Sequence, residues 1–241
     1  MNAPLSIALL IAALTLLACL AGAGGQTGTK AAPAGVDLYP ELRDYLAARR
    51  AEFDQIPDDR RQRLEEMVSY IRRKADSSDP AELIFVCTHN SRRSHMAQLW
   101  AATAAAHEGV PLWTYSGGTE STAFNPRAVA AMQRAGVRIE KTTEASNPVY
   151  HARIADNAPA MTCFSKPYDN DPNPKAEFGA VMVCTDADEA CPFVPGAEFR
   201  LALPFVDPKI SDGTAKEAAT YDERCAQIAR EMLYVMVRVA S

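Results

Sequence analysis

The chain has 241 residues, 48% of them hydrophobic and 23% charged, enough to bury one good core and carry additional material. A formal net charge of −5 excludes the broad basic field that nucleic-acid binding requires, and the basic residues around Arg60, Arg61 and Arg63 alternate with Asp and Glu, as on a solvated helix face. The four histidines are scattered and the cysteines lack the paired spacing of a zinc site, so no metal centre is expected.

In chain order, residues 1–23 come first. Leu5 to Ala23 carry no charge and are rich in Leu, Ala and Ile; their position and flanks read as an export signal, placing the mature chain in the periplasm or cell envelope. Leu16-Leu17-Ala18-Cys19 resembles a bacterial lipoprotein processing site, which would anchor the chain to a membrane through lipidated Cys19. Cleavage after Ala21-Gly22-Ala23 is the alternative. Residues 24–36 are small and polar and read as a linker. Within 37–80, Leu42, Tyr45, Leu46 and Phe53 fall near one helical face. After Ile56-Pro57-Asp58, where Pro suits a helix start, Leu64, Met67, Val68 and Ile71 recur at the same period. A helical hairpin packed on the main domain is expected. Ser77-Ser78-Asp79-Pro80 closes it, which puts the main domain at 81–241.

In that domain strands and helices alternate. Leu83 to Val86 reads as a buried strand, Ser94 to about His107 as a helix, Leu112 to Ser116 as a strand, and Gly117-Gly118-Thr119-Glu120 as a tight turn. Pro126 to Ala135 follows as a helix stopped by Gly136. Gly179 to Val183 and Leu201 to Val206 read as further strands, and Thr220 to Val239 as a long amphipathic helix. This alternation implies an α/β fold: a four-stranded parallel sheet with helices on both faces, with ligands beyond the carboxyl ends of the strands. Residues 147–178 are less regular. Val149 to Ile154 and Ala160 to Phe164 could pair as a hairpin across Asp156-Asn157, and Asp169 to Pro174 is loop. Lying just before the strand that ends at Val183, this segment is expected to border the pocket and shape access to it.

The chemistry concentrates where the first strand of the sheet turns into its helix, at Cys87-Thr88-His89-Asn90-Ser91-Arg92-Arg93-Ser94. A strand that turns sharply into a helix aims successive backbone N–H groups, and the positive end of the helix dipole, at one point. That geometry suits a tetrahedral oxyanion. Arg93 can fork two N–H bonds onto such an anion, and the same field favours the thiolate form of Cys87. A cysteine and an arginine at this spacing recur by chance in about every second chain of this composition, so the flanking strand and helix, with Asn90, Ser91 and Ser94, carry the weight. A buried structural cysteine ending a strand is the alternative.

This stretch resembles the anion-binding loop of low-molecular-weight protein tyrosine phosphatases and of the arsenate reductases built on the same fold. Ser116 to Glu120 and Asn125 to Val129 resemble family segments at matching places, so the resemblance runs from about Leu83 to Met236, interrupted at 147–178. It implies that Cys87 is the nucleophile and that Thr88, His89, Asn90, Ser91, Arg92, Arg93 and Ser94 form the anion site, with Asn90 holding the loop's shape and Ser94 bonded to the Cys87 sulfur. It implies that Asp207, in Asp207-Pro208 after a late strand, is the general acid. Three departures stand out. Lys209 follows where the phosphatases usually carry an aromatic residue, which moves weight towards a small inorganic anion. His89 stands where Gly is common, either straining the loop or adding a donor. Arg92 replaces an additional loop cysteine of many arsenate reductases, and either adds positive field or points to solvent.

A second constellation, Cys184-Thr185-Asp186-Ala187-Asp188-Glu189-Ala190-Cys191-Pro192, reads as a polar loop holding either a structural disulfide or a redox pair. It resembles the loop carrying the second and third redox cysteines of thioredoxin-coupled arsenate reductases. Cys163 and Cys225 read as structural. The resemblance therefore implies reduction of arsenate to arsenite by Cys87, Cys184 and Cys191, without a bound cofactor and with electrons from a thioredoxin-like partner. The alternative is a phosphomonoester hydrolase acting through a phosphocysteine at Cys87. A third reading is an exported oxyanion-binding protein with a permanently closed Cys184–Cys191 bridge.

Overall fold

The computed structural model describes residues 29–30, 35–75 and 80–241. The proposed export signal, the Cys19 lipidation site, the cleavage site after Ala23, much of the linker and Ser77 to Asp79 lie outside the described residues. Among the described residues no helix is long and apolar enough to cross a membrane.

In the described residues five strands form the main sheet: β1 (Thr29–Lys30), β2 (Ala81–Cys87), β3 (Leu112–Gly118), β7 (Phe178–Met182) and β8 (Ala197–Ala202), in the order β1-β3-β2-β7-β8. The last four are mutually parallel, the expected sheet, and β1 adds a two-residue antiparallel edge from within the linker. β2 and β7 are buried on both faces, which is why they read as unbroken apolar runs. The expected fourth strand lies earlier than 201–206. Its polar-looking start carries Phe199, stacked on Tyr70 at 4.7 Å, and beyond Ala202 only the amides of Leu203 and Phe205 still bond to Met182 and Val183.

The helices are α1 (Pro40–Arg50), α2 (Asp58–Ala75), α3 (Arg93–Glu108), α4 (Pro126–Arg134), α5 (Thr185–Ala190) and α6 (Glu217–Ala240). Local chemistry explains their ends. Pro40 opens α1, Asp58 and Asp59 open α2 while Arg72, Arg73 and Lys74 close it, Asn125 caps α4 by accepting from the Arg127 amide at 2.9 Å, and Gly109, at φ 70°, terminates α3. α3 is buried from Ser94 to Ala106, packed against β2, β3 and α6. α1 and α2 bury Leu42, Leu46, Leu64, Met67 and Ile71 and pack on α6, with α2 also on β8 and β2.

Two expectations need correction. The Arg60 face is not a plain solvated one: the Arg60 side chain is only 14% exposed and pairs with buried Glu231. The hairpin in 147–178 exists, as β5 (Tyr150–Arg153) and β6 (Met161–Cys163), joined by β4 (Arg138–Lys141) into a separate antiparallel sheet. Its following residues, however, brace the anion loop from behind instead of lining the cavity.

Candidate active site

β2 ends at Cys87 and α3 begins at Arg93, so five residues make the turn. The loop's carbonyls are held from outside. That of Cys87 accepts from the Thr119 amide, that of Thr88 from the Glu120 amide, and that of Ser91 from the Asn125 amide, at 2.8–3.2 Å. The His89 carbonyl accepts from Ser165 Oγ at 2.9 Å and Thr122 Oγ1 at 3.3 Å. Peptide planes fixed with their carbonyls outward leave the opposite N–H groups facing the centre of the turn. Asn90 sits in the left-handed region at φ 42°, which Asn tolerates better than most residues. Its Oδ1 accepts from the Lys166 amide and its Nδ2 donates to Ser94 Oγ, both at 2.9 Å. Ser94 Oγ lies 3.1 Å from Cys87 Sγ. Asn90 and Ser94 are fully buried and thus shape the loop from beneath.

The loop opens into a cavity of about 230 Å³ lined by Cys87, Thr88, His89, Ser91, Arg92, Arg93, Asp186, Asp207 and Lys209. Two arginines, one lysine and two carboxyl groups therefore surround one thiol, and no Phe, Tyr or Trp is among the lining residues. Arg93 Nη2 donates to Asp207 Oδ2 at 2.8 Å and its Nη1 to the Phe205 carbonyl at 3.0 Å. Asp207 also caps the 3-10 turn Pro208–Ser211, accepting from the Lys209 amide at 3.0 Å. Arg92 does not point to solvent. Its Nε donates to Tyr221 OH at 2.9 Å, and Nη2 lies 3.7 Å from Asp212. His89 is exposed at the cavity wall, and the strained φ belongs to Asn90, not to it.

Cys184 follows β7. Val86 registers with Met182, so Cys184 lies one residue beyond the position opposite Cys87. Strand spacing and rise then put the two Cα atoms about 6 Å apart, within disulfide reach. Thr88 Oγ1 is 3.5 Å from Cys184 Sγ. The stretch expected as a loop is the six-residue helix α5, with Cys184 as its N-cap accepting from the Ala187 amide at 3.3 Å and Asp186 and Asp188 in its first turn. Cys191 stands at the far end, partly exposed and outside the cavity. Arg200 of β8 straps that end, donating to the Asp188 and Cys191 carbonyls at 2.9–3.1 Å and to the Asp188 carboxylate. Burial pushes the Cys191 thiol up, and Arg200 pulls it back.

Sequence reasoning did not single out Asp186 as a wall residue; only its place on the first turn after Cys184 hints at it. Nor did it find Tyr221 and Asp212 behind Arg92, Ser165 and Lys166 behind the loop, or His95, whose Nδ1 lies 3.2 Å from Ser116 Oγ and whose ring stacks on Phe124. Burial, reinforced by Lys166, holds His95 well below the usual histidine range. Cys163 and Cys225 are wholly buried, and burial pushes each thiol up to about 12, consistent with structural roles.

The sequence profile of low molecular weight phosphotyrosine protein phosphatases matches residues 82–156. The arsenate reductase of Bacillus licheniformis is 32% identical over 143 residues, covering 59% of this chain and 84% of that protein. The arsenate reductase of Bacillus subtilis is 31% identical with the same coverage. A solved arsenate reductase in its phosphate-binding state superposes with a TM-score of 0.42 at 20% identity, over 66% of this chain and 98% of that one. Helix-wrapped parallel strands, a cysteine-to-arginine anion loop and relatives of this extent lead to one conclusion: the chain belongs to the family of low-molecular-weight protein tyrosine phosphatases and arsenate reductases, and is an enzyme of one of those two types.

Proposed function

We propose that this enzyme reduces arsenate to arsenite through a three-cysteine relay. The position of Cys184, just past the end of the neighbouring parallel strand from Cys87 and joined by α5 to the more exposed Cys191, carries this reading. Phosphoester hydrolysis needs neither thiol. Arsenate lies in the Cys87–Arg93 loop, held by backbone amides and the Arg93 guanidinium. The Cys87 thiolate attacks arsenic while Asp207 protonates the departing oxygen, which leaves as water. Cys184 thiolate then attacks the Cys87 sulfur. The electron pair of the sulfur–arsenic bond stays on arsenic, arsenite departs, and a Cys87–Cys184 disulfide remains. Cys191 attacks Cys184, releases the Cys87 thiolate and moves the disulfide outward, where a thioredoxin-like dithiol reduces it.

The last exchange requires a conformational step. Cys184 and Cys191 bracket α5, about 10 Å apart along its axis, beyond the roughly 7 Å that a disulfide spans. α5 must open, and a six-residue helix held chiefly by Arg200 is suited to that. The cavity wall also favours a small inorganic anion: Lys209 lines it and no Phe, Tyr or Trp does.

The second reading, phosphomonoester hydrolysis, shares Cys87, Arg93 and Asp207 and is favoured by the matching phosphatase profile. Export over residues 1–23 is likewise a proposal. It would carry the relay into an oxidising compartment, where the pair rests as a disulfide unless a dedicated reductant is supplied there. The test is arsenate-dependent NADPH oxidation with thioredoxin and thioredoxin reductase, run beside aryl phosphate hydrolysis, for wild type and Cys191→Ser. The expected result is arsenate turnover that falls to background in the variant. Aryl phosphate hydrolysis untouched by the substitution, with no arsenate turnover in either protein, would replace this reading with the second.

A further inference from the structure

Arg60 lies on α2, ahead of the parallel sheet, and none of the chemistry above uses it. Its Nε donates to Glu231 Oε1 at 2.7 Å and its Nη1 to the Pro204 carbonyl at 2.9 Å, while the guanidinium lies 4.4 Å over the Phe205 ring. Glu231 is 1% exposed and also accepts from Gln227 at 3.0 Å, so the pair is fixed within the core. One turn on, Arg63 donates to the Ala202 carbonyl at 2.9 Å. Residues 202–205 are the strap that leads from β8 to Asp207. Its far side is held from the active site, because the Phe205 carbonyl accepts from Arg93 Nη1. Beyond that point Asp207 is held by Arg93 and by the Lys209 amide and Pro208 is buried, whereas Val206 is 64% exposed and Ile210 82%.

A buried ion pair is poor evidence for stability, since well-packed apolar groups often serve the fold as well. α2 already docks through Leu64, Met67, Val68 and Ile71. What an apolar side chain could not do is fix a carbonyl and a ring together, which a planar, rigid guanidinium fork does. We propose that Arg60 is a positioning residue for the general acid, locking Pro204–Phe205 so that Asp207 reaches the departing oxygen and Arg93 keeps its orientation. The inference rests on the reading of Asp207 as that acid. It gives the helical segment before the sheet a part in the reaction.

The test is a double-mutant cycle on the prereduced full chain. Arsenite formed in a single turnover is measured for wild type, Arg60→Met, Asp207→Asn and the double variant, with the dissociation constant of inorganic phosphate measured alongside. Arg60→Met is expected to slow the single turnover about 10- to 100-fold, the scale of a slightly misplaced reacting group, while phosphate binding changes by less than about threefold. Arg60→Lys, which keeps the charge against Glu231 without the fork, should recover part of the rate. If Arg60→Met does not fold, Arg60→Lys carries the same cycle. In the Asp207→Asn background the Arg60 substitution should have little further effect. Equal losses in both backgrounds, or a full rate in Arg60→Met, would overturn the inference while leaving Asp207 as the acid. A full rate in Asp207→Asn alone would remove the acid assignment and the inference with it.

Discussion

At the scale of single residues the anion loop turns on Asn90. Its left-handed backbone, its acceptor bond from the Lys166 amide and its donor bond to Ser94 hold the bend that brings Ser94 against the Cys87 sulfur. Lys166 itself is almost fully buried, with its ammonium 4.7 Å over the Phe164 ring, and burial pushes its pKa down to about 8, partly offset by Cys163. The folded chain therefore binds this proton less tightly than the unfolded chain does. Between about pH 8 and the ordinary lysine range near 10.5 the unfolded state carries more protons, so this group's contribution to stability rises with pH across that window and its cost is greatest below it. Lys166→Met should be more stable than wild type at pH 7 by on the order of 2 kcal/mol, with the gap closing as pH rises through 8 and beyond. Chemical denaturation of both proteins at several pH values checks this; a gap independent of pH would contradict it. The loop beside the cavity was legible because Cys87 to Ser94 are contiguous. The partners of Arg92 were not, since Tyr221 lies 129 positions away and no local pattern links the two.

At the scale of elements, the strands and helices of the parallel sheet could be read because each has its own period and its own caps. The exceptions have physical causes. β8 is an edge strand whose Phe199 and Arg200 serve opposite neighbours, so polar and apolar residues mix and the apolar run after it looked more strand-like than the strand. α5 was hidden because it is too short for a helical period and is held by a cysteine cap and by Arg200. Gly117-Gly118, read as a turn, close β3 instead. A Cβ at Gly118 would come within 2.1 Å of the Glu120 carbonyl oxygen and 2.7 Å of the Asn90 amide and the Thr88 carbonyl oxygen. The sheet thus abuts the anion loop backbone to backbone. Gly118→Ala should destabilise the chain by roughly 2–4 kcal/mol and weaken phosphate binding, because relief of the clash must come from the loop. Thermal melts and phosphate titration measure both, and a variant with unchanged melting and unchanged binding would contradict the packing.

For the whole molecule, α1 and α2 belong to the same core as the sheet. Leu42, Leu46, Leu64, Met67 and Ile71 are 0–1% exposed. At about 1.5–3 kcal/mol for each buried side chain they contribute on the order of 10 kcal/mol, against a typical total stability of about 5–15 kcal/mol. A fragment of residues 81–241 should therefore lack a cooperative thermal transition, whereas a melt within a few degrees of the full chain would show the helices to be dispensable. Function at this scale rests on whether the oxidising equivalent taken from arsenate passes outward from Cys87 by way of Cys184 to Cys191. The most direct measurement is one turnover of prereduced protein with arsenate, quenched by thiol alkylation and followed by peptide mapping and arsenite determination. The expected result is one arsenite per chain with a Cys184–Cys191 disulfide in wild type, and a trapped Cys87–Cys184 disulfide in Cys191→Ser. All three thiols alkylated and no arsenite released would contradict the relay and leave the hydrolytic reading in its place.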